Sequence, residues 1–144
     1  MAVNTTVWKV FHLVSLALAA NPLLASMSVR TEKQFDTPQN VETDLQSSGA
    51  VVLVGLPQFD RVPTNRVKVS VQILIMVNPE LFADAPADEV AENVWAALEN
   101  YTHTSHLEFS PLIPQRLDQQ YADDGILICV VDVETTTGIR VTAY

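Results

Sequence analysis

The stretch VKVSVQILIMV, residues 67–77, constrains the fold more than any other part of the chain. Val67, Val69, Val71, Ile73, Ile75 and Val77 recur at strict period two, so they share one face of an extended strand. Lys68, Ser70 and Gln72 point the other way, followed by Leu74 and Met76. The pattern predicts a long strand, half buried at its start and covered on both faces toward its end. Such a strand needs partners. Residues 50–54, within GAVVLVGLP, form a short apolar run closed by Gly55 and Pro57, suited to a strand buried on both faces. The two runs read as an antiparallel hairpin with QFDRVPTNR as a long polar connection.

Other elements follow from the same reasoning. Residues 27–33 alternate loosely and read as a short strand, and the polar, turn-rich stretch from 36 to 49 reads as an exposed loop. ILICVVDVET is a last buried strand, introduced by the turn signal Asp124-Gly125, and residues 135–144 read as a tail. The stretch between His106 and Gly125 lacks a clear period, and Pro111 and Pro114 leave room for one short strand.

Two segments carry helical spacing. In residues 7–20, Val7, Phe11, Val14 and Leu18 make an apolar stripe that Val10, Leu13 and Ala17 widen. Asn4, Thr5 or Thr6 can cap its start, and Pro22 stops it. Trp8 and Leu16 fall outside the stripe and are candidates for contact with a neighbouring subunit. The same segment can be read as a secretory signal, with Lys9 as basic region and Ala17-Leu18-Ala19 as cleavage site. The thin basic region and the interruptions at His12 and Ser15 favour a retained structural helix. The apolar run breaks at Asn21-Pro22, short of the roughly 20 residues a membrane span requires. The second helix lies in ADEVAENVWAALENY: Asp84 is its expected cap, and Val90, Val94, Ala97, Leu98 and Tyr101 form its apolar face.

These elements define one α+β domain over residues 1–144: a mostly antiparallel sheet of four to five strands, packed by a leading and a central helix. The order is helix, three strands, helix, two strands.

Charge narrows the function. The net charge of −9 argues against a nucleic-acid surface built on basic patches. It is unevenly spread: residues 1–78 hold six basic and five acidic side chains, residues 79–144 two basic and twelve acidic. The single cysteine, Cys129, lies in an apolar run and reads as a buried thiol. Candidate chemistry is sparse. His103 and His106 would need Glu108 or His12 as a third zinc ligand. Asp123 and Asp124 precede a glycine, which is turn chemistry. Asp132, at an alternating position, is either an inward charge at a sheet edge or a solvent-facing residue. Neither a serine elbow nor a glycine-rich phosphate loop is present, so no catalytic, cofactor-binding or metal-binding residue is assigned, no cofactor is expected and an enzyme is disfavoured.

The order of elements resembles that of bacteriophage tail terminator and related tail-completion (neck) proteins. The likeness rests on the leading helix at 5–20, the pair AVVLVGLP and VKVSVQILIMVNPE, the helix ADEVAENVWAALENY directly after the long strand, and the closing DDGILICVVDVE. It covers nearly the whole chain as a pattern of elements rather than a signature motif. The resemblance implies a structural virion protein, assembled in the host cytoplasm, that forms a homo-oligomeric ring, usually hexameric. Such a ring caps the tail tube, ends its polymerisation and joins the tail to a head-completion or neck protein. DNA passes through without specific binding, which an acidic wall suits. Loops 34–48 and 56–66 are then candidate contacts, with Trp8, Leu16 and Trp95 as anchors and head-to-tail charge pairing between the two halves of neighbouring chains. The alternatives are an exported α+β binding domain with a signal peptide at about 1–19, and a small enzyme using His103 and His106.

Overall fold

In the computed structural model, which describes residues 5–31, 43, 45–62, 66–82 and 86–138, the alternating stretch is a strand over its whole expected length. The elements in chain order are α1 (Thr6–Ala19), β1 (Ser28–Thr31), β2 (Ala50–Val54), β3 (Gln58–Arg61), β4 (Val67–Val77), α2 (Ala87–Leu98), β5 (Ile113–Tyr121) and β6 (Leu127–Thr137). The sheet has six strands in the order β1-β2-β4-β6-β5, with β3 also paired to β4. Only β1 runs parallel to its neighbour; every other pair is antiparallel. The fold is therefore α+β, as the sequence predicts, with one strand more than expected.

The extra strand is β3, in the QFDR stretch read from sequence as a connection. Val54 pairs with Ile73 and Gln58 with Ser70, so three residues, Gly55 to Pro57, oppose only Val71 and Gln72. One residue is in excess, which is the geometry of a β-bulge. β2 and β3 are thus successive parts of one bent strand along the same edge of β4, and the Gly55 amide still donates to the Gln72 carbonyl at 2.8 Å.

The core lies on one face. Val69, Val71, Ile73, Ile75 and Val77 of β4 meet Leu127, Cys129, Val131 and Val133 of β6 under α1 and α2. Helix α1 contributes Val10, Phe11, Leu13, Val14, Ala17 and Leu18, the stripe read from its spacing. The Thr5 hydroxyl accepts from the Trp8 amide at 3.2 Å and caps the helix. At its other end Asn21 Oδ1 accepts from the amides of Leu23 and Leu24, while its Nδ2 donates to Asn93 Oδ1 on α2 at 2.9 Å. α2 buries Val90, Ala91, Val94 and Leu98. Its N-cap is Pro86, which offers no side-chain bond; the expected cap Asp84 lies outside the described residues.

Three further expectations are corrected. Residues 45–48 form a helical turn rather than open loop, and Leu45 is buried with Val51 of β2 outside the main cluster; residues 34–42 and 44 lie outside the described residues. The stretch before Gly125 holds a nine-residue strand, β5, with a second bulge at Gln115. Thr135 to Thr137 belong to β6 rather than to a tail. Ser110 serves the first two: Thr135 Oγ1 donates to the Ser110 carbonyl at 2.6 Å, and the Thr136 amide donates to Ser110 Oγ at 2.8 Å. Residues 139–144 lie outside the described residues.

Candidate functional site

The two faces of the domain offer different candidates. On the helix side, polar side chains gather where α1 meets the 3-10 turn Thr104–His106. Trp8, Lys9 and His12 are neighbours on the first turns of α1, and Trp8 stacks on His12 with ring centroids 4.8 Å apart. His12 Nδ1 lies 2.7 Å from Nε2 of His106, across 94 residues of chain. The His106 ring is only 5 % exposed. Its other nitrogen, Nδ1, has no hydrogen-bond partner among the described residues and sits 3.8 Å from a Glu108 carboxylate oxygen. Lys9 reaches the same oxygen at 3.7 Å. Burial holds the His106 pKa below the ordinary value of 6.5. The neighbouring His12, and more weakly His103 and Lys9, push the same way, while Glu108 opposes them.

The structure brings His106, His12 and Glu108 together, but not as a ligand set. His106 Nε2 is engaged by His12, and Glu108 lies beside the opposite ring nitrogen. His103 Nδ1 accepts from the Ser105 amide at 3.1 Å, capping the 3-10 turn, and its ring centroid is 6.5 Å from that of His106. Among the described residues, no three His, Cys, Asp or Glu side chains are grouped to hold a metal ion. Asp123 and Asp124 occupy the β5–β6 turn, where Asp124 Oδ1 accepts from the Ile126 amide at 3.2 Å and Gly125 takes φ +83°. Asp132 is not at a sheet edge: β6 lies between β4 and β5, and Asp132 faces away from the helices beside Gln72 and Arg116. Cys129 is fully buried, and burial pushes its thiol pKa up to about 11.

The other face of the sheet carries Leu53, Leu74, Ile128 and Val130, all half-buried, together with Ser70, Gln72, Asp132 and Glu134. A groove of about 900 Å³ runs over it. Its floor is β4 and β6, and both bulges border it, through Leu56 and Pro57 on one side and Gln115 and Arg116 on the other. Among the described residues no strand pairs with the outer edge of β3 or of β5, and these edges lie on opposite sides of the sheet. All four residues of β3 are exposed, as is Tyr121 at the end of β5. The solvent side of α2 presents Asp88, Glu89, Glu92 and Glu99, with no basic residue in its last turn.

The anchors named from sequence are all partly buried. Trp8 is held by His12, and Trp95 packs on the core. Two of the basic residues considered for pairing with the acidic half of another chain already pair within this one: Lys9 with Glu108, and Lys68 with Glu134 at 3.4 Å. Arg66 donates to the carbonyls of Glu108 and Thr136. The chain matches no protein-family model and no curated protein. Among the described residues no helix is long and apolar enough to cross a membrane.

Proposed function

We propose that the protein is a structural virion subunit that assembles into a ring, caps the phage tail tube and joins it to a head-completion or neck protein. The observation that carries this reading is the position of two sheet edges, those of β3 and β5, with which no strand pairs among the described residues. A ring closes through a heterologous contact, in which two different patches of each subunit meet. β3 and β5 offer two such patches, on opposite sides of one sheet. The hairpin tip between β3 and β4 coincides with the 56–66 segment expected to make contacts, and Arg61 has no ion-pair partner among the described residues. The order of elements is also the one the resemblance implies, with β3 added.

The mechanism is association, with no chemical step. Backbone groups at an open strand edge supply direction and register, and side chains beside them select the partner. The acidic side of α2 would line the path of DNA, repelling phosphate instead of binding it.

The test is tube growth. Tail-tube protein polymerised with increasing amounts of the full-length chain should give shorter tubes, each bearing a terminal ring in negative-stain images. Tubes of unchanged length without terminal density would contradict the reading.

A further inference from the structure

The geometry around His106 fixes how protons are arranged there. The 2.7 Å contact between His12 Nδ1 and His106 Nε2 requires one proton between two nitrogens. If His106 were the donor, its bare Nδ1 lone pair would face the Glu108 carboxylate. If His12 donates, His106 carries its own proton on Nδ1, aimed at that carboxylate 3.8 Å away. The second arrangement puts a donor opposite an anion and is electrostatically preferred. His12 and His106 are then linked through one imidazole proton, and the Glu108 carboxylate faces the other side of the His106 ring at 3.8 Å without a hydrogen bond. The free nitrogen of the set is His12 Nε2.

One added proton still leaves a single shared proton between His12 Nδ1 and His106 Nε2, so the hydrogen bond survives. A second, which puts a proton on both facing nitrogens, destroys it and sets two imidazolium rings with centroids 5.0 Å apart, one of them buried. Four charged or titratable groups among the described residues surround the pair. Lys9 on α1 and His103 in the loop add positive charge when protonated, and Glu108 opposes them. Arg66, whose guanidinium bonds the Glu108 carbonyl at 3.3 Å, faces the same loop.

We propose that the His12–His106 pair is a proton-operated latch that fastens the start of α1 to the 103–109 loop at neutral pH and releases it in acid. The contact joins elements far apart in sequence, and the loop leads through Ser110 directly into β5. Release therefore loosens both the first turn of α1 and the approach to an outer strand.

The sign follows from the direction of the His106 shift. The unfolded chain takes up the His106 proton near pH 6.5, whereas the folded chain resists it to lower pH. The latch's contribution is full above pH 6.5 and is lost as pH falls from there through the lower folded value. In that window the folding equilibrium weakens by up to about tenfold per pH unit.

Nitrogen-15 NMR of the imidazoles in the full-length wild-type protein tests this directly. The expected result is a protonated His12 Nδ1 and an unprotonated His106 Nε2 at pH 7.5, with His106 taking its second proton only well below pH 6.5. Free titration of His106 at the ordinary value would overturn the proposal. A Trp95→Phe variant isolates Trp8 emission, which should change in acid before far-ultraviolet circular dichroism does; a change only at global unfolding would also overturn it. Urea unfolding at pH 7.5 and 5.5 should show a larger acid loss for wild type than for His106→Gln, by up to about tenfold in equilibrium constant. Equal losses would show that other groups carry the pH dependence and that there is no latch.

Discussion

A chain that starts at residue 20 is expected not to fold. Helix α1 buries Val10, Phe11, Leu13, Val14, Ala17 and Leu18 against the sheet and α2. At about 1.5–3 kcal/mol for each large buried side chain, their removal forfeits roughly 10 kcal/mol. That is comparable with the whole stability of a typical domain, about 5–15 kcal/mol. The loss is compounded on the other side of the interface, where Val71, Ile73 and Val131 belong to the same cluster and would face water. Far-ultraviolet circular dichroism and urea unfolding of the truncated chain check the expectation. Absence of a cooperative transition is predicted. A truncated chain that unfolds cooperatively with native-like spectra would instead favour the exported reading, in which these residues are a removable signal.

Gly49→Ala should be strongly destabilising. Gly49 sits at the entrance to β2 with φ +82°, a left-handed conformation that costs an L side chain about 1–2 kcal/mol. A Cβ there would lie 2.5 Å from the Phe82 amide nitrogen and 2.8 Å from the Leu81 carbonyl carbon. These are backbone atoms and cannot rotate away. The same residue ties the end of β4 to the start of β2, because its carbonyl accepts from the Asn78 amide at 2.7 Å. Strain and overlap together should cost about 3 kcal/mol or more, a fall in Tm of roughly 10 °C. Gly125→Ala is the control: it has φ +83° but nothing within 4 Å of its added Cβ. It should lose only the conformational part, about 1 kcal/mol. Equal melting points for the two variants would show that the packing around Gly49 yields.

The parts of the fold that could be read from the sequence are those where one residue's spacing to the next decides its environment. β4 and β6 are central strands with one face in the core, so their apolar residues alternate or run together. The stripe of α1 and its Thr5 cap are equally local. β3, and the full length of β5, were hidden for a common reason. Both lie at the rim, β3 buries none of its four residues, and of β5 only Pro114 is fully buried with Leu117 partly so. A strand that buries so little has no period to show; its state is set by hydrogen bonds to a neighbour distant in sequence. Thr135 and Thr136 misled by polarity, since hydropathy cannot see that the Ser110 carbonyl and hydroxyl lie beside them. In the candidate site, His12, His106 and Glu108 were each visible as possible partners. Which nitrogen of which ring they would share was not, because that depends on α1 crossing the 103–109 loop.

The reading as a tail-capping ring is tested most directly by the solution mass of the full-length protein. Light scattering after size exclusion, at low and moderate salt with and without tail-tube protein, measures it. The account predicts a discrete ring-sized species, hexameric if the resemblance extends to stoichiometry, either alone or on addition of tube protein. A monomer that persists under every condition and leaves the tube protein's own mass distribution unchanged would contradict it.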